Sequence, residues 1–367
     1  MKILHFHKSL GAGGIESMVC NLANEMSKTQ DVTVGTIFLP NSNDLFYNKL
    51  HPGVKKINLG KTDDTTKPFK EIYKAYSAIK KGHYDIVHIH GYFYYYLLAI
   101  WLLHRKVTFF YTLHSDAFHE SPPWDLKLMR IKRMFFRKGW MKAITISPAS
   151  QQSFIALYGC PSAMITNGIA SPEISDSISI IDSGKITEQT KVFINAGRVC
   201  EAKNQVMLCR VFDRLIKIGF DVQLYIAGGI QDKQIYSEMS PYFSDRIIFL
   251  DEVNNVPSLM AKADGMCLSS IYEGLPVVIL EALATGCIPI CTPVGGCADV
   301  ITDGVNGFLS ESTDEGSYYS TITRFLSIPE NELESIKKQA VKSFDKYNIS
   351  KTTDSYLKEY KKALNHK

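Results

Sequence analysis

The chain has 367 residues, a formal net charge of +4, 45% hydrophobic residues and 21% charged ones. This is the make-up of a globular enzyme with room for two domains, each with its own core, and so small a net charge gives no reason to expect a nucleic-acid partner. Eight cysteines (Cys20, Cys160, Cys200, Cys209, Cys267, Cys287, Cys291 and Cys297) include no C-x-x-C pair, which argues against a zinc cluster or disulfide framework and for a cytoplasmic protein.

In chain order, Met1-Lys2-Ile3-Leu4-His5-Phe6 enters a strand pattern at once, so no signal peptide is expected. Short, almost continuously apolar runs predict parallel strands buried on both faces at Lys2–His7, Val32–Leu39, Asp85–His90, Val107–Leu113 and Ala143–Ser147. Helices are predicted at Ile15–Ser27 and Phe69–Lys81. The longest apolar run, Tyr92–Leu103, is too short to cross a bilayer and reads as a buried helix. Gly168–Gln189 is polar, contains Pro172 and Gly184, and reads as a linker. The alternation then restarts with strands at Lys191–Ala196, Val222–Ala227, Ile247–Leu250, Gly265–Leu268 and Ile288–Cys291. Helices are expected from about Gln205 to Gly219, at Pro276–Ala284 and within Glu330–Asn365. The pattern predicts an α/β protein of two doubly wound, Rossmann-like domains facing across a cleft, residues 1–170 and 185–349, with functional residues just after the strands.

The most specific motif runs Ser269-Ser270-Ile271-Tyr272-Glu273-Gly274-Leu275-Pro276-Val277-Val278-Ile279-Leu280-Glu281. It sets two carboxylates around a tight turn that opens a helix. Gly274 lets a ligand approach the backbone, and Pro276 suits the first helical position, where its missing N–H has no partner to lose. The helix-start amides attract an anion, and Glu273 and Glu281 can accept hydrogen bonds from hydroxyls. Anion plus polyol describes a nucleotide-diphosphate sugar. Arg198 follows the first strand of the second half and Lys203 lies one loop further on; together they could neutralise a diphosphate. No D-x-D motif occurs, so no metal or other cofactor is expected and protein cations must stabilise the leaving group.

Other motifs are weaker. In Ser9-Leu10-Gly11-Ala12-Gly13-Gly14-Ile15-Glu16 the amides could cradle a phosphate or approach a sugar, but Glu16 stands where a dinucleotide fingerprint has its third glycine. A plain strand-to-helix turn explains the loop as well. Gly228-Gly229 reads as another close backbone approach. His5, His7, His88, His90 and His114 cluster at strand ends; no acidic or thiol partner at ligand spacing supports a metal site there. His114 is the histidine favoured for a role in the cleft, as donor to the transferred sugar or to developing charge, against the alternative of a hydrogen-bonded edge histidine. From Asp125 to Lys142 runs a charge cluster (Lys127, Arg130, Lys132, Arg133, Arg137, Lys138, Lys142) with no acid after Asp125. Helical spacing gives one apolar stripe of Leu128, Ile131 and Phe135 and a second of Leu126, Met129, Phe136 and Trp140, with Arg133 inside the second. Residues 126–142 could therefore lie on anionic headgroups, or form a partly buried helix with a solvated basic face.

Taken together, Gly13-Gly14-Ile15-Glu16, the His114 region, Thr166-Asn167-Gly168-Ile169, Gly197-Arg198 with Lys203-Asn204, Asn255-Val256-Pro257 and the Glu273-to-Glu281 element resemble glycosyltransferase family 4, retaining sugar-nucleotide transferases of GT-B architecture. The resemblance covers nearly the whole chain. It implies that Glu281 holds the ribose, that Glu273 with the Gly274 and Leu275 amides contacts the transferred sugar, and that Arg198 and Lys203 bind the diphosphate. It further implies that the base lies along Asp251–Asn255, around Val253, and that the final helix, about 350–367, crosses back onto the first domain. The expected catalytic set is then His114, Arg198, Lys203 and Glu273, with Gly13, Gly14, Gly229, Val253, Gly274, Leu275 and Glu281 as further donor contacts. The expected partners are a nucleotide-sugar donor, most commonly a UDP-sugar, and a saccharide or polyprenyl-linked saccharide acceptor in the second half and first half respectively. A sugar-nucleotide epimerase and a non-catalytic sugar-nucleotide binder remain as alternatives.

Overall fold

The apolar runs become parallel strands in the computed structural model, which describes all residues except 12, 42–43, 64–66, 121–125, 176–180, 182–183 and 366–367. The chain divides into one unit of Met1–Ala170 with Tyr347–Lys367 and another of Ser171–Lys346.

In the first unit, β1 (Lys2–His7), β2 (Asp31–Phe38), β3 (Lys55–Lys61), β4 (Ile86–Ile89), β5 (Thr108–Leu113), β6 (Met141–Thr145) and β7 (Ala163–Met164) form a sheet in the order β3-β2-β1-β4-β5-β6-β7. Every pairing is parallel. One apolar cluster joins this sheet to the helices Phe69–Gly82, Leu97–Leu103, Leu126–Arg137 and Pro148–Tyr158. A second joins it to Gly14–Ser27 and to the chain's last helix, Ile349–Asn365. That last helix is anchored by Tyr356 and Tyr360, both fully buried; burying each ring is worth on the order of 2–3 kcal/mol. Their hydroxyls end on Thr112 Oγ1 (3.3 Å) and on His88 Nδ1. The 350–367 expectation extends two residues beyond the described ones.

In the second unit, β8 (Lys191–Ala196), β9 (Val222–Ala227), β10 (Ile247–Asp251), β11 (Gly265–Leu268), β12 (Ile288–Cys291) and β13 (Phe308–Leu309) run parallel in the order β10-β9-β8-β11-β12-β13. Both sheets thus start with a central strand, grow to one side, then cross to the other, as doubly wound sheets do. The reversal falls between β1 and β4 in the first and between β8 and β11 in the second.

Several expectations change. β3 goes unpredicted because Lys55-Lys56-Ile57-Asn58-Leu59-Gly60-Lys61 lacks an apolar run; it is an edge strand, and edge strands carry lysines that discourage further pairing. The strand expected at Ala143–Ser147 is Met141–Thr145, and Ser147 instead caps Pro148–Tyr158 by accepting from the Ser150 amide at 3.2 Å. Gly168–Gln189 is not simply a linker. Ile169 and Ile181 are buried, and the Gln223 side chain donates to Gly184 O (2.9 Å) and accepts from the Ile186 amide (3.3 Å). The stretch's serines and aspartates conceal isoleucines that pack, while 176–180 and 182–183 lie outside the described residues. Tyr92–Leu103 becomes a 3-10 turn, Phe93–Tyr96, then the helix Leu97–Leu103, with Trp101 57% and Leu102 48% exposed.

Candidate active site

The strand ends of the second unit carry the charged motif. Between β8 and β11, the Lys203 side chain runs over Gly197, where a Cβ would stand 3.2 Å from Lys203 Cε. Lys203 Nζ pairs with Glu273 Oε1 at 2.5 Å. Ser270 Oγ donates to the same oxygen at 2.6 Å, and Glu273 Oε2 accepts from no described residue. The pair is largely withdrawn from water, at 21% and 12% exposure. It therefore leaves two Lys203 hydrogens and one carboxylate oxygen for a ligand. Arg198 is exposed, and its guanidinium makes no hydrogen bond or ion pair among the described residues. Its charge is not neutralised by any described side chain.

Backbone contacts hold these groups. Ile271 N donates to Ala202 O at 2.8 Å, and Ser269 Oγ to Lys203 O at 2.9 Å, tying the two loops across the switch point. Buried Gln205 donates to Arg198 O at 3.0 Å. Gly296 N donates to Gly274 O at 2.6 Å, and Gly295, at φ +51, lies so close that a Cβ would overlap the Glu273 carbonyl. Gly228, at φ +152, is likewise pressed on the Gly197 carbonyl. Asn204 (φ 51) and Asp251 (φ 57) take left-handed backbone at this rim, a conformation tolerated best by short polar side chains. The sequence reading gives no role of their own to Ser270 and Gln205, and takes residues 292–296 as turn chemistry supporting the site; there Thr292 Oγ1 donates to Ser270 O at 2.6 Å.

The remaining donor candidates are placed as follows. The helix opens at Val277, with Pro276 in the cap position at φ −70, ψ 119, so Pro276 lies outside the first helical position. The extended ψ belongs to a cap residue. Leu275 is buried (5% exposed), so only its backbone is available to a ligand. Glu281 lies on that helix, partly buried, and Val253 is partly buried after β10. The Glu252 side chain covers Gly229, an acid the sequence reading did not foresee.

The other candidates lie in the first unit. Gly13 is the extended cap of Gly14–Ser27, where a Cβ would collide with the Glu16 carboxylate; Ala12 lies outside the described residues. His114 is buried, and burial lowers its pKa to about 3, as it does for His5. His88 and His90 are pushed well down by burial and then by neighbouring imidazoles. His5, His88 and His90 bring one ring nitrogen each within 4.8 Å of the others. The His88 and His90 rings are stacked, 4.3 Å apart at 17°, and their nitrogens already have hydrogen-bond partners: Thr112 Oγ1 and the Tyr360 hydroxyl for His88, His5 and His114 for His90.

The basic segment departs from its two-stripe reading. The helix Leu126–Arg137 buries Lys132, Phe135 and Phe136, with Leu128 and Met129 partly buried beside them; members of both supposed stripes share one core face. Lys132 sits 3.9 Å from the Tyr111 ring centre and 4.0 Å from Glu120. Arg133 donates from Nε to Tyr158 O at 3.0 Å. The outward face combines Lys127, Arg130, Arg137 and Lys138 with Leu126 (50% exposed), Ile131 (36%) and Met134 (37%). Asp125 lies outside the described residues. No described helix is long and apolar enough to cross a membrane.

Comparison with known proteins agrees with this geometry. Residues 12–171 match the family model described as Glycosyltransferase Family 4, and residues 176–343 the one described as Glycosyl transferases group 1. A Campylobacter jejuni GalNAc-alpha-(1->4)-GalNAc-alpha-(1->3)-diNAcBac-PP-undecaprenol alpha-1,4-N-acetyl-D-galactosaminyltransferase is 26% identical over 99% of this chain and 100% of its own length. An Escherichia coli UDP-Gal:alpha-D-GlcNAc-diphosphoundecaprenol alpha-1,3-galactosyltransferase is 25% identical over 70% of each chain. The fold matches that of Anabaena HepE, solved with UDP and glucose, at TM-score 0.80 and 19% identity over 99% of this chain and 100% of that one. With two family models spanning most of its length and two doubly wound sheets beneath them, the chain belongs to the family 4 glycosyltransferases of GT-B fold.

Proposed function

We propose that this enzyme transfers a sugar from a UDP-sugar to a polyprenyl-diphosphate-linked saccharide during assembly of a bacterial surface polysaccharide, of capsular or exopolysaccharide type. The observation that carries the reading is the Lys203–Glu273 pair beside the exposed Arg198 at the β8/β11 switch point. Cations suit a diphosphate, and a carboxylate with an open oxygen suits a sugar hydroxyl. The undecaprenol-linked acceptors in the names of both curated relatives support the acceptor class, and one of them names UDP-galactose as donor.

The second unit binds the donor, with Glu281 on the ribose and the backbone at Gly229, Val253, Gly274 and Leu275 against the nucleotide and sugar. The first unit binds the acceptor. Gly13 and Gly14 approach the substrate through backbone, and His114 donates a hydrogen bond to it. In the transfer step the acceptor hydroxyl oxygen bonds to the anomeric carbon on the face from which the diphosphate leaves. The carbon–oxygen bond to phosphate breaks with retention, and the departing phosphate oxygen takes the hydroxyl proton. Arg198 and Lys203 balance the charge that develops on that phosphate, so the step needs no metal.

The outward face of Leu126–Arg137 brings the enzyme to the inner surface of the cell membrane, where such acceptors sit. Its cations attract anionic headgroups while Leu126, Ile131 and Met134 enter them.

The deciding experiment is a thermal-shift screen of UDP-sugars and GDP-mannose, followed by product analysis with an undecaprenyl-diphosphate-linked saccharide. A UDP-sugar that stabilises the protein and is transferred with its anomeric configuration kept supports the reading. Conversion of donor alone to an isomer identifies an epimerase instead, and binding with neither transfer nor hydrolysis identifies a binder.

A further inference from the structure

At the strand ends of the first unit three buried histidines form a chain. His5 Nδ1 lies 3.1 Å from His90 Nε2, and His90 Nδ1 lies 3.0 Å from His114 Nε2. The two outer nitrogens, His5 Nε2 and His114 Nδ1, are buried and meet no partner. His90 is fixed by its backbone: its amide donates to Phe6 O at 2.8 Å, and His7 Nδ1 donates to its carbonyl at 2.5 Å. His88 stacks on His90 but takes no hydrogen bond from the histidine chain, being held by Thr112 Oγ1 at 2.7 Å and by the Tyr360 hydroxyl.

A neutral imidazole carries one N–H and one lone pair. Two N···N hydrogen bonds in series therefore allow only two consistent arrangements. In one, each ring carries hydrogen on Nδ1, His5 donates to His90 and His90 to His114, and the chain ends in an N–H at His114 Nδ1. In the other, each carries it on Nε2, and the orphaned N–H is at His5. An unpaired buried N–H is costlier than an unpaired lone pair. His5 is wholly enclosed within β1, whereas His114 follows β5 and retains 9% exposure. His114 is thus the end of the chain nearer solvent; its Nδ1 is itself covered in the ligand-free protein, and the donor is satisfied there once a ligand oxygen displaces that cover.

We propose that His90, backed by His5, is a positioning residue that fixes His114 as the Nδ1–H tautomer, so that a donor is presented to substrate before substrate arrives. This rests on the substrate role proposed above for His114. The rings stay neutral through the working pH range because burial makes protonation unfavourable. Unconstrained histidine side chains prefer Nε2–H, so the expected tautomer is one that the chain must impose.

The test is a long-range 1H–15N correlation spectrum of the ligand-free, histidine-labelled full-length protein, which reports the hydrogen-bearing nitrogen of each ring. His5, His90 and His114 should all carry it on Nδ1, and a folded His90→Phe protein should shift His114 toward Nε2–H. Nε2–H at His114 in the wild type overturns the proposal, as does a His114 tautomer indifferent to His90→Phe. If that variant does not fold, the wild-type spectrum decides. Hydrolysis of UDP-galactose, UDP-N-acetylgalactosamine and UDP-N-acetylglucosamine gives the functional arm. With whichever is turned over, His90→Phe should lower kcat about tenfold, the equivalent of one lost oriented hydrogen bond, with KM changed less than about twofold. His90→Gln, which keeps a donor and an acceptor, should recover most of it; a loss that His90→Gln leaves untouched counts against positioning. Wild-type turnover by His114→Ala would sink the substrate role of His114 and leave the tautomer result standing, so the two readings fail separately.

Discussion

The two units have the same strand order about their first strands, yet their C-terminal strand ends are furnished in opposite ways. In the first, His5, His88, His90 and His114 are buried and bonded to one another or to Thr112 and Tyr360. In the second, Arg198 is exposed, while Lys203 and Glu273 are largely buried and held as an ion pair. Topology decides where side chains gather; solvent access, or an opposite charge close by, decides whether they hold charge. The first edge suits neutral hydrogen bonding to a saccharide, and the second suits a charged diphosphate.

The largest effect that separates the edges is Arg198→Ala. Because the guanidinium has no described protein partner, the melting temperature should stay within about a degree while kcat falls by about 10²–10³, the usual cost of losing a preorganised charge stabiliser. An unchanged kcat would show that the second edge does not handle the leaving group. Gly295→Ala asks whether Glu273 must be held by its neighbour: with φ +51 and a carbonyl in the way, denaturant unfolding should show a loss of about 2–3 kcal/mol.

Acid should act on the first edge. The His5 pKa of about 3 in the folded protein lies below its ordinary 6.5, so on acidification the unfolded chain binds the proton first. The stabilisation is complete above pH 6.5 and is lost between 6.5 and 3. At pH 5 the loss for this one ring is about 2 kcal/mol, and a folded His5→Gln protein should show a correspondingly flatter slope of stability against pH. An equal slope in that variant would place the acid sensitivity elsewhere. The smallest effect concerns the outer face of the Leu126–Arg137 helix. Arg130→Glu should weaken binding to vesicles containing anionic lipid roughly tenfold, and added salt should weaken the wild type similarly. Arg133→Glu should also lower the melting temperature, because Arg133 bonds Tyr158 O. Absence of wild-type vesicle binding would remove the membrane role.

Much of this was legible in the chain. β8, β9, β11 and β12 follow runs of four to six residues that are apolar enough to be buried on both faces, and their ends matched expectation. The Glu273-Gly274-Leu275-Pro276 turn was legible because a glycine and a proline just before an apolar run mark a tight turn into a helix. Less legible was the basic helix: a two-stripe pattern cannot say which stripe is the core, and Lys132 faces inward because Tyr111 and Glu120 receive it.

The α/β alternation, the glycosyltransferase family and the strand ends where charged and polar residues gather can be read from the chain alone, since apolar period and short motifs are local properties. Folding alone pairs Lys203 with Glu273, presses Gly295 against that turn, and joins His5, His90 and His114 into one chain. These contacts link residues as far apart as 85 positions in the chain, and parallel pairing brings them together through strands whose order no local pattern encodes.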